Sequence, residues 1–240
     1  MWRWALSRVL GMGLSVILAG VALPGAALDV EPAWQQVRSE AGITSWKRER
    51  KALPVYRARA TLDASVWDAL AVLDDVDHAC EWTSHCAEMR RVKTLSERAV
   101  VVYARMDAPW PVRDRDVAVH VSVDYGGIGE LTVKIRALAV PELPPTSQAV
   151  RMPAFTAHYR FLTREDLRTD VEYQLEFDPG GALPDWLKAL VAKNLAHDTL
   201  DDLRDRVRWA QQRGVYARRV HELAERAHAS GYQSVASNAP

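Results

Sequence analysis

The sequence predicts an α+β fold in which a curved antiparallel sheet wraps around one long C-terminal helix. Three observations carry that expectation. Leu183 to Val207 is apolar at helical spacing through Leu183, Trp186, Leu187, Leu190, Val191 and Leu195, and Pro184 suits a first turn that has no use for its missing N–H. Six or seven strand-like segments precede it, each apolar on one side. No helical pattern interrupts the last run of strands, so burying one helix against one face of the sheet is the economical arrangement. The helix shifts phase to Leu200, Leu203 and Val207, which predicts a bend or a second packing surface near Asn194 to Asp198.

The 240 residues suffice for one good-sized core, and 31 basic against 31 acidic residues argue against a nucleic-acid binder that works by neutralising phosphates. Arg3 and Arg8, the apolar run Val9 to Leu23 and the small residues Gly25, Ala26 and Ala27 read as a signal peptide cut after Ala27. The run is shorter than the ~20 residues needed to span a bilayer. The expected organisation is a signal peptide over 1–27, a single domain over 28–210, and a helical extension with a disordered tail over 211–240, in a periplasmic or secreted protein. Cys80 and Cys86 are the only two cysteines. A local disulfide is the leading reading in an oxidising compartment; free thiols and a metal site with His78 and His85 are the alternatives, although the spacing matches no common zinc pattern.

In chain order, Val30, Trp34, Val37 and Ala41 share one helical face and predict a short amphipathic helix ended by Gly42. Ile43 to Arg50 and Val55 to Thr61 read as strands joined across Lys51 to Pro54. Asp63 is the expected N-cap of a helix through Leu73. Asp74, Asp75 and Asp77 read as a solvated helix end. From Glu88 the period is two: Val100, Val102, Ala104 and Met106 share one face, as do Val117, Val119, Val121 and Val123 opposite Ala118, His120, Ser122 and Asp124. Gly126, Gly127 and Gly129 make a hairpin to Leu131, Val133 and Ile135. After a proline-rich loop, Ala157, Tyr159 and Phe161 and then Val171, Tyr173, Leu175 and Phe177 complete a meander paired in sequence order. Arg208 to Ala229 is expected to extend the long helix, and Gly231 to Pro240 to be disordered.

The turn Met106-Asp-Ala-Pro-Trp-Pro-Val-Arg-Asp-Arg-Asp-Val117 resembles the StAR-related lipid-transfer (START) family: a strand runs into Pro-Trp-Pro, and Arg115-Asp116 opens the next. Trp82 and Cys86 before it, and Pro184, Trp186 and Leu187 after it, match in order, covering about Leu28 to Arg208. The resemblance implies the helix-grip fold, with a cavity for one hydrophobic ligand on the inner face of the sheet. It implies a lipid partner, transient membrane contact, no cofactor, no metal, no nucleic acid, and a monomer. Some sterol-binding members carry an acid and an arginine inside the cavity; the corresponding positions here are Val102 and Val121, which weakens sterol as the ligand.

The candidate cavity residues are Val102, Val119, Val121, Val133, Ile135, Tyr159, Phe161, Tyr173, Leu175, Leu187, Leu190 and Val191, with Asn194 and His197 as polar candidates. Trp110, between two prolines, is the candidate gate or membrane loop. Arg115 and Asp116 are expected to fix the turn by an ion pair or backbone hydrogen bonds. No nucleophile elbow or phosphate loop points to an enzyme. A cyclase-like or hydrolase-like use of the cavity is the alternative reading, and a ligand-sensing module a third. The leading expectation is a carrier that takes a lipid across the periplasm or between membranes.

Overall fold

Alternation of apolar and polar side chains is realised as a ten-stranded sheet in a computed structural model that describes residues 33–50, 53–143 and 145–235. The strands are β1 (Gln35–Glu40), β2 (Ile43–Arg48), β3 (Val55–Leu62), β4 (Cys86–Ser96), β5 (Ala99–Met106), β6 (Asp114–Tyr125), β7 (Glu130–Ala137), β8 (Ala149–Arg151), β9 (Ala154–Thr163) and β10 (Thr169–Asp178). The helices are α1 (Val66–Asp74), α2 (Asp185–Arg213) and α3 (Ala217–Ala229), with a 3-10 turn over Val76–Glu81. The order is β1-β2-β3-β10-β9-β7-β6-β5-β4, antiparallel throughout, and β8 pairs parallel with the start of β6. The meander therefore pairs in sequence order, and the β3–β10 ladder joins it to the opening strands. The signal-peptide residues lie outside the described residues. Among those described, no helix is long and apolar enough to cross a membrane.

Four local expectations are corrected. The helix expected from Val30 to Ala41 is the edge strand β1 over Gln35–Glu40. Glu40 pairs with Ile43 across a two-residue turn whose Ala41 and Gly42 both have positive φ, 51° and 78°, a hairpin geometry that outcompetes a segment too short to hold a helix alone. The cap of α1 is Ser65, not Asp63. Ser65 Oγ accepts from Asp68 N (3.2 Å) while Asp68 Oδ2 accepts from Ser65 N (3.0 Å), a reciprocal capping box. The acidic connector is not left to solvent, since Arg219 pairs with Asp74 and Tyr216 donates to Asp75 at 2.6 Å. Finally, α2 stops at Gly214, whose φ is 63°, and α3 is a separate helix.

The tail beyond α3 is ordered through Val235 rather than loose from Gly231. Tyr232 is buried between Trp67 and Tyr125, with ring centroids 4.9 and 5.7 Å away, and Gln233 O accepts from Gly129 N at 2.8 Å. The phase change in α2 separates two regimes. Ala196, Leu200, Leu203, Val207 and Ala210 are buried in the main core, each large side chain contributing roughly 1.5–3 kcal/mol. Upstream, Leu187 is buried while Trp186 and Leu190 remain 52% and 45% exposed.

Candidate functional site

Cross-strand pairing puts one apolar set on the inner face. Val102 stands opposite Val119, Val121 lies between Val100 and Ile135, Val133 pairs with Tyr159, and Phe161 and Tyr159 pair with Val171 and Tyr173. Residues directly opposite one another project to the same side of a sheet. Val102, Val119, Val133, Tyr159, Phe161, Tyr173 and Leu175 are buried. Val121, Val123, Ile135, Phe155 and Phe177 lie on the same face but are only partly buried.

Those half-covered side chains occupy a particular place. The buried residues form a large cluster under α1 and α2 and a smaller one of Val76, Val102, Ala104, Val117, Val119 and Met152. Val121, Ile135, Phe155 and Phe177 touch both clusters, and so form a half-covered apolar seam between them. α2 packs mainly against β3, α1, β2, β1 and β10. Val191 is half-buried on the N-terminal half of the helix, beside the exposed Leu190.

The polar candidates are placed elsewhere. Asn194 Oδ1 accepts from Arg38 Nη1 at 3.5 Å, and the same nitrogen donates to Asp198 at 2.8 Å. The buried His197 donates from Nε2 to Glu40 O at 3.4 Å. Both side chains face β1 and its turn, not the valine stripe. The polar groups near the inner tyrosines are Thr199 and Asp202, which sequence reasoning missed. Thr199, whose hydroxyl donates to Leu195 O at 2.8 Å, lies near enough to the Tyr173 hydroxyl to oppose the rise in its pKa, and Tyr159 lies against Tyr173 with centroids 4.5 Å apart. Burial lifts the pKa of both tyrosines above the ordinary phenol value and so keeps them neutral. Burial likewise raises the Asp202 carboxyl. The signal was available as Leu195, Thr199 and Asp202 at helical spacing, but it is hidden in a run that also holds Asp198, Asp201 and Asp205.

Arg115 and Asp116 do not pair with one another, because neighbours on a strand point to opposite faces. Asp116, fully buried, takes both oxygens to Arg151 at 2.9 and 3.0 Å and accepts from Tyr103 at 3.2 Å. Arg115 turns to the valine side and donates to the carbonyls of Arg113, Pro179 and Gly180. Trp110 stands 91% exposed on the β5–β6 loop, whose base is fixed by Ala108 N and Arg105 bonding to Asp114. Cys80 and Cys86 are bonded, and within the loop they close, His85 O accepts from Asp107 N at 2.8 Å. Val102 and Val121 put no charge at these two positions of the wall. Among the described residues no group of three His, Cys, Asp or Glu side chains is placed to hold a metal ion.

The family model of the START domain matches residues 26–213. An uncharacterised protein of Pseudomonas aeruginosa is 28% identical over 193 residues, 80% of this chain and 93% of its own. The phosphatidylcholine transfer protein of Bos taurus is 25% identical over 192 residues, 76% of this chain and 84% of its own. Among solved structures, the STAR-related lipid transfer protein of Xanthomonas axonopodis superposes with a TM-score of 0.66 at 29% identity, covering 73% of this chain and 98% of that one. Human STARD10 superposes at 0.67 with 21% identity, covering 84% of each chain, and supports the fold.

Proposed function

Because the chain belongs to the START domain family, whose members bind and transfer lipids, we propose that it takes one lipid into a trough opened along this apolar seam and carries it between membranes. The single observation behind this reading is the set Val121, Ile135, Phe155 and Phe177, apolar side chains left partly uncovered on the inner face where the two buried clusters meet. A monomeric soluble protein gains nothing by keeping that surface open to water, whereas a hydrocarbon chain laid on it contributes about 25 cal/mol for each Å² covered. The chemistry is non-covalent. Entry and release use the N-terminal half of α2, which carries fewer buried side chains than the C-terminal half and is the part of the helix that opens at low cost. Trp110, Trp186 and Leu190 are the exposed apolar side chains suited to touching a membrane during exchange. The N-terminal segment supports export, so the aqueous space crossed is the periplasm in a host with two membranes. The mature N-terminus expected after cleavage is Leu28, which N-terminal sequencing of the exported protein checks.

Native mass spectrometry of the processed protein, with organic extraction of whatever accompanies it, tests the carrier reading. One lipid class at near-stoichiometric mass is the expected result. A protein that stays free of ligand after incubation with host lipid extract would sink it.

A further inference from the structure

The part of the chain that the START model matches ends at 213, the last residue of α2, so α3 and the residues after it are additions to the matched fold. They are docked rather than trailing. Leu223 and Ala227 of α3 are buried, Val220 packs on the main core beside them, and the helix lies on α1. Past α3, Tyr232 is 5% exposed, its ring 4.9 Å from Trp67 of α1 and 5.7 Å from Tyr125 at the end of β6. Gln233 O then accepts from Gly129 N at 2.8 Å, and the chain runs so close that a Cβ at Gly129 would stand 2.6 Å from Val235 Cγ2.

The polar contacts say what this segment holds. Arg219 Nε donates to Asp74 Oδ2 at 2.9 Å, and the Asp74 carbonyl accepts from Arg91 of the edge strand β4 at 2.9 Å. The Tyr216 hydroxyl donates to Asp75 at 2.6 Å, while Arg206 of α2 reaches the Tyr216 oxygen at 3.3 Å and Glu81 at 3.2 Å. Asp75 precedes the 3-10 turn and Glu81 ends it. Of the six residues in that turn only Val76 and Ala79 are buried, and Val76 belongs to the smaller cluster with Val102, Val117 and Val119. The turn is thus a cover over one bank of the seam with little apolar anchorage of its own. Segments of that kind open locally at low cost unless something else ties them down. Here the ties run to α2 and to the segment that follows it.

We propose that residues 214–235 are a strap that clamps this cover and, through Tyr216 and Arg206, the C-terminal half of α2, so that the seam opens only beside the N-terminal half of α2. The strap stands on the contacts above; its consequence for lipid passage rests on the lipid-binding reading. Slackening the strap adds a second route, between the turn and the smaller cluster, and the carrier then leaks its cargo.

The test is hydrogen exchange on the processed full chain without lipid, paired with release of a fluorescent fatty acyl probe to acceptor vesicles. Tyr232→Ala removes the side chain that anchors the end of the strap. Exchange over 74–86 and 214–229 should rise tenfold or more while 185–195 and the strands β9 and β10 keep their wild-type rates, and probe release should quicken several-fold. If that variant does not fold, Arg219→Gln, at a half-exposed pair, should raise exchange over 74–86 in the same selective way. Unchanged exchange over 74–86 overturns the strap. A rise of equal size in every segment also overturns it, since the extension would then add only general stability. Selective exchange with unchanged probe release overturns the gating role and leaves the carrier reading intact, whereas a wild type that takes up no probe counts against the carrier reading and leaves the clamp standing.

Discussion

Ser84 donates from its backbone N–H at 2.7 Å and from its hydroxyl at 3.1 Å to the two carboxylate oxygens of Asp202, so the loop closed by Cys80 and Cys86 grips the middle of α2. The Asp202 pKa is nevertheless raised, because burial outweighs the two hydrogen bonds. A carboxyl raised on folding stabilises the fold fully only below its unfolded value of ~3.9, and that contribution is lost as pH rises through the folded value. Melting temperature followed from the ordinary carboxylate range upward should therefore carry a downward component that Asp202→Asn removes. Parallel wild-type and variant curves would show that Asp202 is no such load on the helix.

The disulfide has a second consequence through the same loop. Glu81, Ser84 and His85 meet Arg206, Asp202 and Asp107 respectively, which ties the loop both to α2 and to the strand end leading to Trp110. Closing a ring across a separation of 6 residues is worth about 2 kcal/mol, a shift of several degrees for a protein of this size. Cys80→Ser with Cys86→Ser should lower the melting point by that amount and speed lipid release several-fold. An unchanged melting point would mean that the ring does not constrain the fold.

Trp110 is 91% exposed and its loop is held at the base by Asp114. Trp110→Ala should change stability by less than about 0.5 kcal/mol yet slow lipid transfer between vesicles several-fold. A transfer rate equal to the wild type would remove the loop from the exchange step.

How much of this was legible in the sequence depended on the length of the periodic signal. The valine stripe of β6, the strands β9 and β10 and the long helix announce themselves over eight or more residues, and the pairing order follows from hairpins. Gln35 to Glu40 did not, because six residues carry too little pattern to decide between helix and strand, and the deciding contact is the ladder with β2. Asn194 and His197 were drawn to attention as polar residues on an apolar face, but α2 turns that part of itself toward β1. Thr199 and Asp202 were overlooked, since only the fold tells a buried aspartate from its solvated neighbours. Arg115 and Asp116 are adjacent in sequence and belong to different networks, as the alternation of a strand requires.

Val119 and Val121 lie two residues apart on one face of β6, yet Val119 is 5% exposed within the smaller buried cluster while Val121 is only partly covered. The same substitution at the two sites therefore separates folding from binding. At Val119 an arginine has no water to reach and no acid opposite, and an unpaired buried charge costs several kcal/mol, so Val119→Arg should fail to fold or melt at once on warming. At Val121 the long side chain can run along the seam and keep its head in water, at a cost of about 1–3 kcal/mol. Val121→Arg should then keep a native circular dichroism spectrum while filling the seam with a charge, and lipid uptake should be lost. Wild-type uptake by folded Val121→Arg would mean that the ligand does not lie on the valine stripe, and the search for its site would move along the same face to Tyr159 and Tyr173.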